Sequence, residues 1–195
     1  MDEESIVFVN EDGVPTGEIG PKLQSHHANT RPHIAFSCYV FRRADGAFLL
    51  SRRALHKKVW PGVWTNSVCG HPAPGEAIED AVRRRASFEL GLQSLANLRC
   101  VLPRYRYRTS EFDGVVENEF CPVFVAIVDQ GPVLNPAEVD SVKWISWREY
   151  KELVDDPDGE VSYWAREQLP LLEAIESFPP RGVDADAPTG RHPTR

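Results

Sequence analysis

At 195 residues the chain suits one globular domain with a sizeable core, and 42% hydrophobic with 26% charged residues is an ordinary globular composition. The net charge of -7 argues against a nucleic-acid binder working by bulk attraction, and no apolar run approaches the roughly 18 residues of a membrane span. The acidic start MDEESIVFVNEDG lacks the pattern of a signal peptide, and the four cysteines form no CxxC pair, so the chain reads as cytoplasmic with reduced thiols.

In chain order, SIVFVN reads as a strand ending at the EDG turn, with VPTGEI as the return strand. KLQSHHANTRPH shows no period and is expected as loop. IAFSCYVFRR and AFLLSRR flank ADG and form a hairpin signal. ALHKKVWPGVWTNS is long, irregular and Trp-rich, a type of loop that often carries function.

EAIEDAVRRRASFELG places Ile78, Ala81, Val82 and Ala86 at helical spacing, with Gly91 as the stop. LRCVLPRYRYRT and GVVENEFCPVFVAIVD read as strands around EFDG, and SVKWI as another. Ser146 and Glu149 have capping-box spacing ahead of a helix in SWREYKELVDD. A last helix is expected from about Ser162 to Ser177, with Pro170 as a kink or break. The order of elements predicts a mixed α/β (α+β) fold with a mixed sheet flanked by helices in one compact domain. Residues 1–30 are assigned to N-terminal strands and the lead-in to a metal-binding loop, 31–177 to the catalytic domain, and 178–195, rich in Pro and polar groups, to a disordered tail.

Several side chains could carry chemistry. His26, His33 and His71, with Glu117 and Glu119 of ENE, would suit a divalent ion such as Mn, Mg or Zn. In a strand Glu117 and Glu119 share a face, which like charges disfavour unless a cation or proton lies between them. A solvated Glu pair and three unrelated histidines are the plainer alternative, and spacing does not separate His26 from His27. Lys22, Arg52, Arg53, Lys57, Lys58 and the run Arg83, Arg84, Arg85 could bind phosphate, or could form a solubilising surface. Glu89, one turn after Arg85, is either a helix ion-pair partner or a magnesium ligand. Cys69, two residues before His71, is either a small buried hydrophobe or a thiol whose pKa is lowered by cations or a metal.

GHPAPGEAIEDAVRRRASFELGL resembles a Nudix box, matched at Gly70, Glu76, Arg84, Glu89, Gly91 and Leu92. It departs from that box at Arg85 and Phe88, where glutamates are expected, which puts pyrophosphate hydrolysis in doubt. Together with TRPHIAF, RRALHKKVWPGVWTNSVCGHP, YRYR and VENEFCPVF, these residues resemble the type I isopentenyl-diphosphate isomerases over roughly Ile6 to Leu169. The resemblance implies a Nudix-like fold and the interconversion of isopentenyl and dimethylallyl diphosphates, with Cys69 and Glu119 as acid–base pair, Tyr107 beside Glu119 and Trp164 facing the reacting carbons. It implies one divalent metal (Mn2+ or Mg2+, with Zn2+ a third choice) on His26, His33, His71, Glu117 and Glu119, and a Mg2+ on Glu89 and the Cys69 carbonyl. Lys22, Arg53, Lys57 and Arg85 would grip the diphosphate. The expected partner is a small-molecule substrate, with no obligate protein partner, nucleic acid or membrane.

Overall fold

The structure, a computed structural model, describes residues 4–180. Its strands are β1 (Ser5–Val9), β2 (Pro15–Pro21), β3 (His33–Ile34), β4 (Phe36–Arg42), β5 (Phe48–Arg53), β6 (Trp64–Thr65), β7 (Val68–Gly70), β8 (Ala96–Leu102), β9 (Arg106–Arg108), β10 (Asn118–Phe120), β11 (Val123–Val128) and β12 (Val139–Ile145). Its helices are α1 (Lys22–Ser25), α2 (Ile78–Leu90), α3 (Trp147–Asp155) and α4 (Tyr163–Glu173). A five-stranded sheet runs β2-β1-β3-β10-β9, and a seven-stranded sheet runs β12-β5-β4-β11-β8 with β6 paired to β5 and β7 to β4.

Three chain segments belong to both sheets. β3 passes through Ala35 into β4, β10 through Cys121 and Pro122 into β11, and β8 through the turn at Pro103 towards β9. Each of the two strands expected around EFDG is therefore broken at a proline, which cannot donate to a ladder. The β3–β10 and β4–β11 pairs are parallel and the rest antiparallel, so both sheets are mixed.

The larger sheet is buried on both faces. In β4, Phe36, Cys38 and Val40 pack with α2, whereas Tyr39 and Phe41 pack with Trp147, Tyr150 and Trp164 of α3 and α4. β11 alternates likewise, which explains why its sequence is a continuous apolar run rather than an alternating one. α2 ends as expected: Gly91 takes φ 63°, and its N–H reaches the Ser87 carbonyl. The Ser146–Glu149 capping box forms at the start of α3.

The expected β4–β5 hairpin opens like a V. Only Phe41 and Phe48 pair near its turn; farther out Ser37 pairs with Cys69 of β7, and Ser51 with Thr65 of β6. Side chains replace the missing ladder: Ser67 Oγ donates to the Leu49 carbonyl at 2.6 Å and accepts from the Val40 N–H at 2.8 Å. The Trp-rich segment, expected as loop, thus supplies β6 and leads into β7, and the two short strands form a wedge.

Two other expectations need correction. The loop before the histidines begins with the four-residue helix α1, and the last helix ends at Glu173, running through Pro170 without stopping there. Most of the expected tail lies outside the described residues, but Phe178 packs on Trp147 at 4.9 Å between ring centroids. No helix among the described residues is long and apolar enough to cross a membrane.

Candidate active site

Strand register builds one end of the site. Glu119 of β10 lies opposite His33 of β3 on one side and Tyr107 of β9 on the other, so three neighbouring strands carry three functional groups in a row. His26 arrives from the C-terminus of α1 and His71 from the end of β7. The three imidazole centroids are 4.8, 5.6 and 5.1 Å apart, and the ligand atoms of His26, His33, His71 and Glu119 all lie within 4.8 Å of one another. Glu117 is outside that tightest group but joins it through His26, whose Nε2 is 3.4 Å from Glu117 Oε2.

The hydrogen bonds fix which ring nitrogens face inward. His26 Nδ1 donates to the Lys22 carbonyl at 2.7 Å and His33 Nδ1 to the Arg31 carbonyl at 3.0 Å. Each Nε2 of a neutral ring therefore presents a lone pair to the centre, the tautomer a metal ligand needs. His71 Nε2 is 3.1 Å from Glu119 Oε1 and 3.2 Å from His33 Nε2. Glu117 Oε2 is buried without a hydrogen-bond partner, an arrangement that disfavours an empty centre. Three imidazoles and two carboxylates so arranged fit a divalent cation.

Burial opposes the charged form at each of these groups. It pushes His71 down to about 3, so that ring stays neutral. For Glu119 burial opposes ionisation, but the His33 and His71 rings beside its Oε1 outweigh it and hold the carboxyl well below the usual range. Tyr107 donates to Glu119 Oε2 at 2.8 Å, and its own pKa lies well above the ordinary value because the phenol is buried beside that carboxylate.

The other residues line the same cavity, of about 1080 Å³. Cys69, Trp164, Tyr107 and Glu119 occupy its wall. Cys69 Sγ donates to Asn66 Oδ1 at 3.0 Å, and burial pushes the thiol up to about 12. Among the protein's own groups, burial thus favours the thiol form of Cys69. The carboxylates of Glu119 and Glu89 work against ionisation as well.

At the basic end Lys22, Arg85 and Lys57 are each paired with a carboxylate. Glu4 bridges Lys22 at 2.6 Å and Arg85 at 2.7 Å. Glu138 bridges Lys57 and Arg85, the latter at 3.1 Å, and Glu89 meets Arg85 at 2.7 Å. Arg53 instead donates to the carbonyls of Val59 and Trp60, and its guanidinium lies 5.9 Å from the centre of the Trp164 ring. The expected catalytic, metal-binding and diphosphate-binding residues thus line one cavity, except His33, which is fully buried behind its wall, whereas Arg52, Arg83 and Arg84 pair with Asp140, the Leu95 carbonyl and Glu76 outside it.

Glu4, Glu138 and Asn66 were not picked out by sequence. Glu4 reads as part of an acidic terminus and Glu138 as a loop residue, and only tertiary pairing reveals them. Asn66 carried one signal, its place three residues before Cys69 in TNSVC.

The NUDIX domain model matches residues 31–165. An isopentenyl-diphosphate Delta-isomerase of Mycolicibacterium vanbaalenii is 48% identical over 171 residues, covering 88% of this chain and 92% of that protein. Another from Saccharopolyspora erythraea is 44% identical over 183 residues, covering 94% and 93%. Among solved structures, a protein of Deinococcus radiodurans shares the fold with a TM-score of 0.66 at 20% identity, covering 86% of this chain and 98% of that one. With close relatives of one kind along nearly its whole length and the domain matched over its centre, the chain belongs to the isopentenyl-diphosphate Delta-isomerase family of NUDIX-domain proteins.

Proposed function

We propose that the protein interconverts isopentenyl and dimethylallyl diphosphates, adding a proton at one carbon and removing one from another. The observation that carries this reading is a single cavity with Cys69 and the Tyr107–Glu119 pair in its walls and Lys22, Arg53, Lys57 and Arg85 lining it as well. An unactivated alkene is a poor base, and the tertiary carbocation formed on protonation would be trapped by water. The reaction therefore calls for an acid, a base, a dry pocket and stabilisation of cationic carbon. Cys69 and Glu119 would exchange protons with the substrate, each giving in one direction and taking in the other. Tyr107 would hold Glu119 and pass its proton, and the Trp164 indole face would attract the cation by about 2 kcal/mol when desolvated.

His26, His33, His71, Glu117 and Glu119 would hold one divalent ion, Mn2+ or Mg2+, with Zn2+ also suited to the imidazoles. Glu89 and the Cys69 carbonyl would hold a Mg2+ that accompanies the diphosphate. Such cations would lower the proton affinity of their ligands and neutralise the phosphate charge. Lys22, Arg53, Lys57 and Arg85 would bind the diphosphate, and this remote grip would align the hydrocarbon end. The substrate is then a small molecule, the product an isoprenoid precursor, and four free thiols suit a reducing cytoplasm.

Pyrophosphate hydrolysis is the weaker reading, because Arg85 stands where the box glutamate would and pairs with Glu89. The test is incubation of the metal-loaded protein with isopentenyl diphosphate, followed by NMR with and without chelator. Dimethylallyl diphosphate is expected with metal. Inorganic phosphate or pyrophosphate in its place would favour hydrolysis, and unchanged substrate would end the proposal.

A further inference from the structure

Asn66 sits between β6 and β7, in the cleft where β4 and β5 part, and has no exposed surface. Its Oδ1 accepts three hydrogen bonds: from Cys69 Sγ at 3.0 Å, Trp164 Nε1 at 3.0 Å and Thr65 Oγ1 at 2.9 Å. Its Nδ2 donates to the carbonyls of Cys38 at 3.2 Å and Val68 at 3.0 Å. The amide orientation follows from chemistry. An indole N–H can only donate, so oxygen faces Trp164, and backbone carbonyls can only accept, so nitrogen faces Cys38 and Val68.

Two strands, β4 and β7, therefore clamp the amide, and the amide in turn holds two groups that approach from different elements. Cys69 comes from β7 and Trp164 from α4, 98 residues beyond Asn66. Sharing one acceptor atom, they cannot lie farther apart than two hydrogen-bond lengths. The start of α4 is tied to the same segment, since Thr65 Oγ1 meets Ser162 Oγ at 2.8 Å and the Ser162 N–H donates to the Trp64 carbonyl at 2.8 Å.

We infer that Asn66 is a positioning residue for the isomerisation: its carbonyl oxygen sets the sulfur of Cys69 and the indole of Trp164 at fixed places relative to the same substrate carbons. The inference rests on the reading under Proposed function. A side chain that only braced the scaffold would need its two donor contacts to β4 and β7. It would not need to gather a thiol and an indole that both face the cavity.

The test compares wild type, Asn66→Ala and Asn66→Asp as metal-loaded proteins, reading kcat and KM for isopentenyl diphosphate, metal content and melting temperature. Aspartate at this buried position, facing two carbonyls, is neutral. It keeps the acceptor oxygen and one donor. Asn66→Ala should lower kcat about 100-fold, the scale of a small misplacement of reacting groups, with KM within about 3-fold and metal content unchanged. Asn66→Asp should recover about 10-fold of that loss, the equivalent of one hydrogen bond of ~1.4 kcal/mol. A folded Asn66→Ala protein with wild-type kcat would overturn the inference. So would an aspartate variant no better than alanine, a loss confined to KM and metal content, or failure of both variants to fold, which would assign Asn66 to the scaffold alone. An inactive wild type would instead overturn the isomerase reading itself, so the two failures are distinct.

Discussion

Replacing Tyr107 with Phe removes a single oxygen from the proton-transfer end of the cavity. The ring keeps its packing, stacked on Tyr105 at 5.8 Å and 5.9 Å from the Trp164 ring. What is lost is the 2.8 Å hydrogen bond to Glu119 Oε2. Glu119 is ionised despite its burial because the His33 and His71 rings lie against it, so the lost bond is a charged one. Hydrogen bonds to charged groups contribute about 1.5–3 kcal/mol. If the interaction strengthens by that amount in the transition state, its removal lowers kcat about 10- to 150-fold. KM should hold, since the cationic groups that would bind the diphosphate are untouched. Metal content should hold as well, because Oε1, the oxygen near His33 and His71, is not the one Tyr107 meets. Steady-state rates with isopentenyl diphosphate, alongside metal analysis, decide the matter. A kcat within 2-fold of wild type, or a raised KM at unchanged kcat, would refute the role given to the phenol.

Three further outcomes are expected. Arg85→Ala leaves Glu89 and Glu138 without their shared cation in a mostly buried site, so chemical denaturation should show a loss of about 3–5 kcal/mol; a midpoint matching wild type would contradict the role given to this ion-pair cluster. Chelation should abolish turnover and lower the melting temperature, with Mn2+ or Mg2+ restoring both; a ligand at a thousandfold its Kd stabilises by about 4 kcal/mol, so a melting curve indifferent to metal would argue against the histidine–glutamate centre. Glu4 is held down to about 2 from its ordinary 4.5, because Lys22 and Arg85 outweigh the opposing effect of burial. The folded state thus binds fewer protons than the unfolded one between those values, so this contribution is complete above pH 4.5 and fades as pH falls towards 2. Glu4→Gln should flatten the acid side of the stability profile, and an unchanged slope would count against the Lys22–Glu4–Arg85 bridge.

Where the sequence carried a period or a fixed conformational requirement, it was readable. α2 shows helical spacing and ends at a glycine in the left-handed region, and α3 starts at a capping box. The two halves of the opened hairpin were visible for similar reasons. The wedge was not: β6 and β7 have two and three residues, too few to show alternation, and they exist because a splayed pair of strands leaves backbone groups to satisfy. The division into two sheets was also hidden, since β3 pairs with β1 and β10, both distant from it in sequence.

The candidate site divides in the same way. The residue types at Cys69, His71, Glu117 and Glu119 and their spacing indicated chemistry, but the burial that keeps Cys69 a thiol comes from elements far along the chain. The basic residues were legible as cations. That Glu4 and Glu138 neutralise them required the fold, and so did the convergence of Cys69 and Trp164 on Asn66.

Proton exchange between an alkene and two protein groups is tested most directly by running the isomerisation of isopentenyl diphosphate in D2O. The thiol, phenol and carboxyl protons exchange with solvent, so the methyl group formed from the substrate's terminal methylene should carry deuterium in the dimethylallyl product. A product formed at the normal rate with no deuterium in that methyl would mean that the proton does not come from groups such as Cys69 or the Tyr107–Glu119 pair, and would contradict the account.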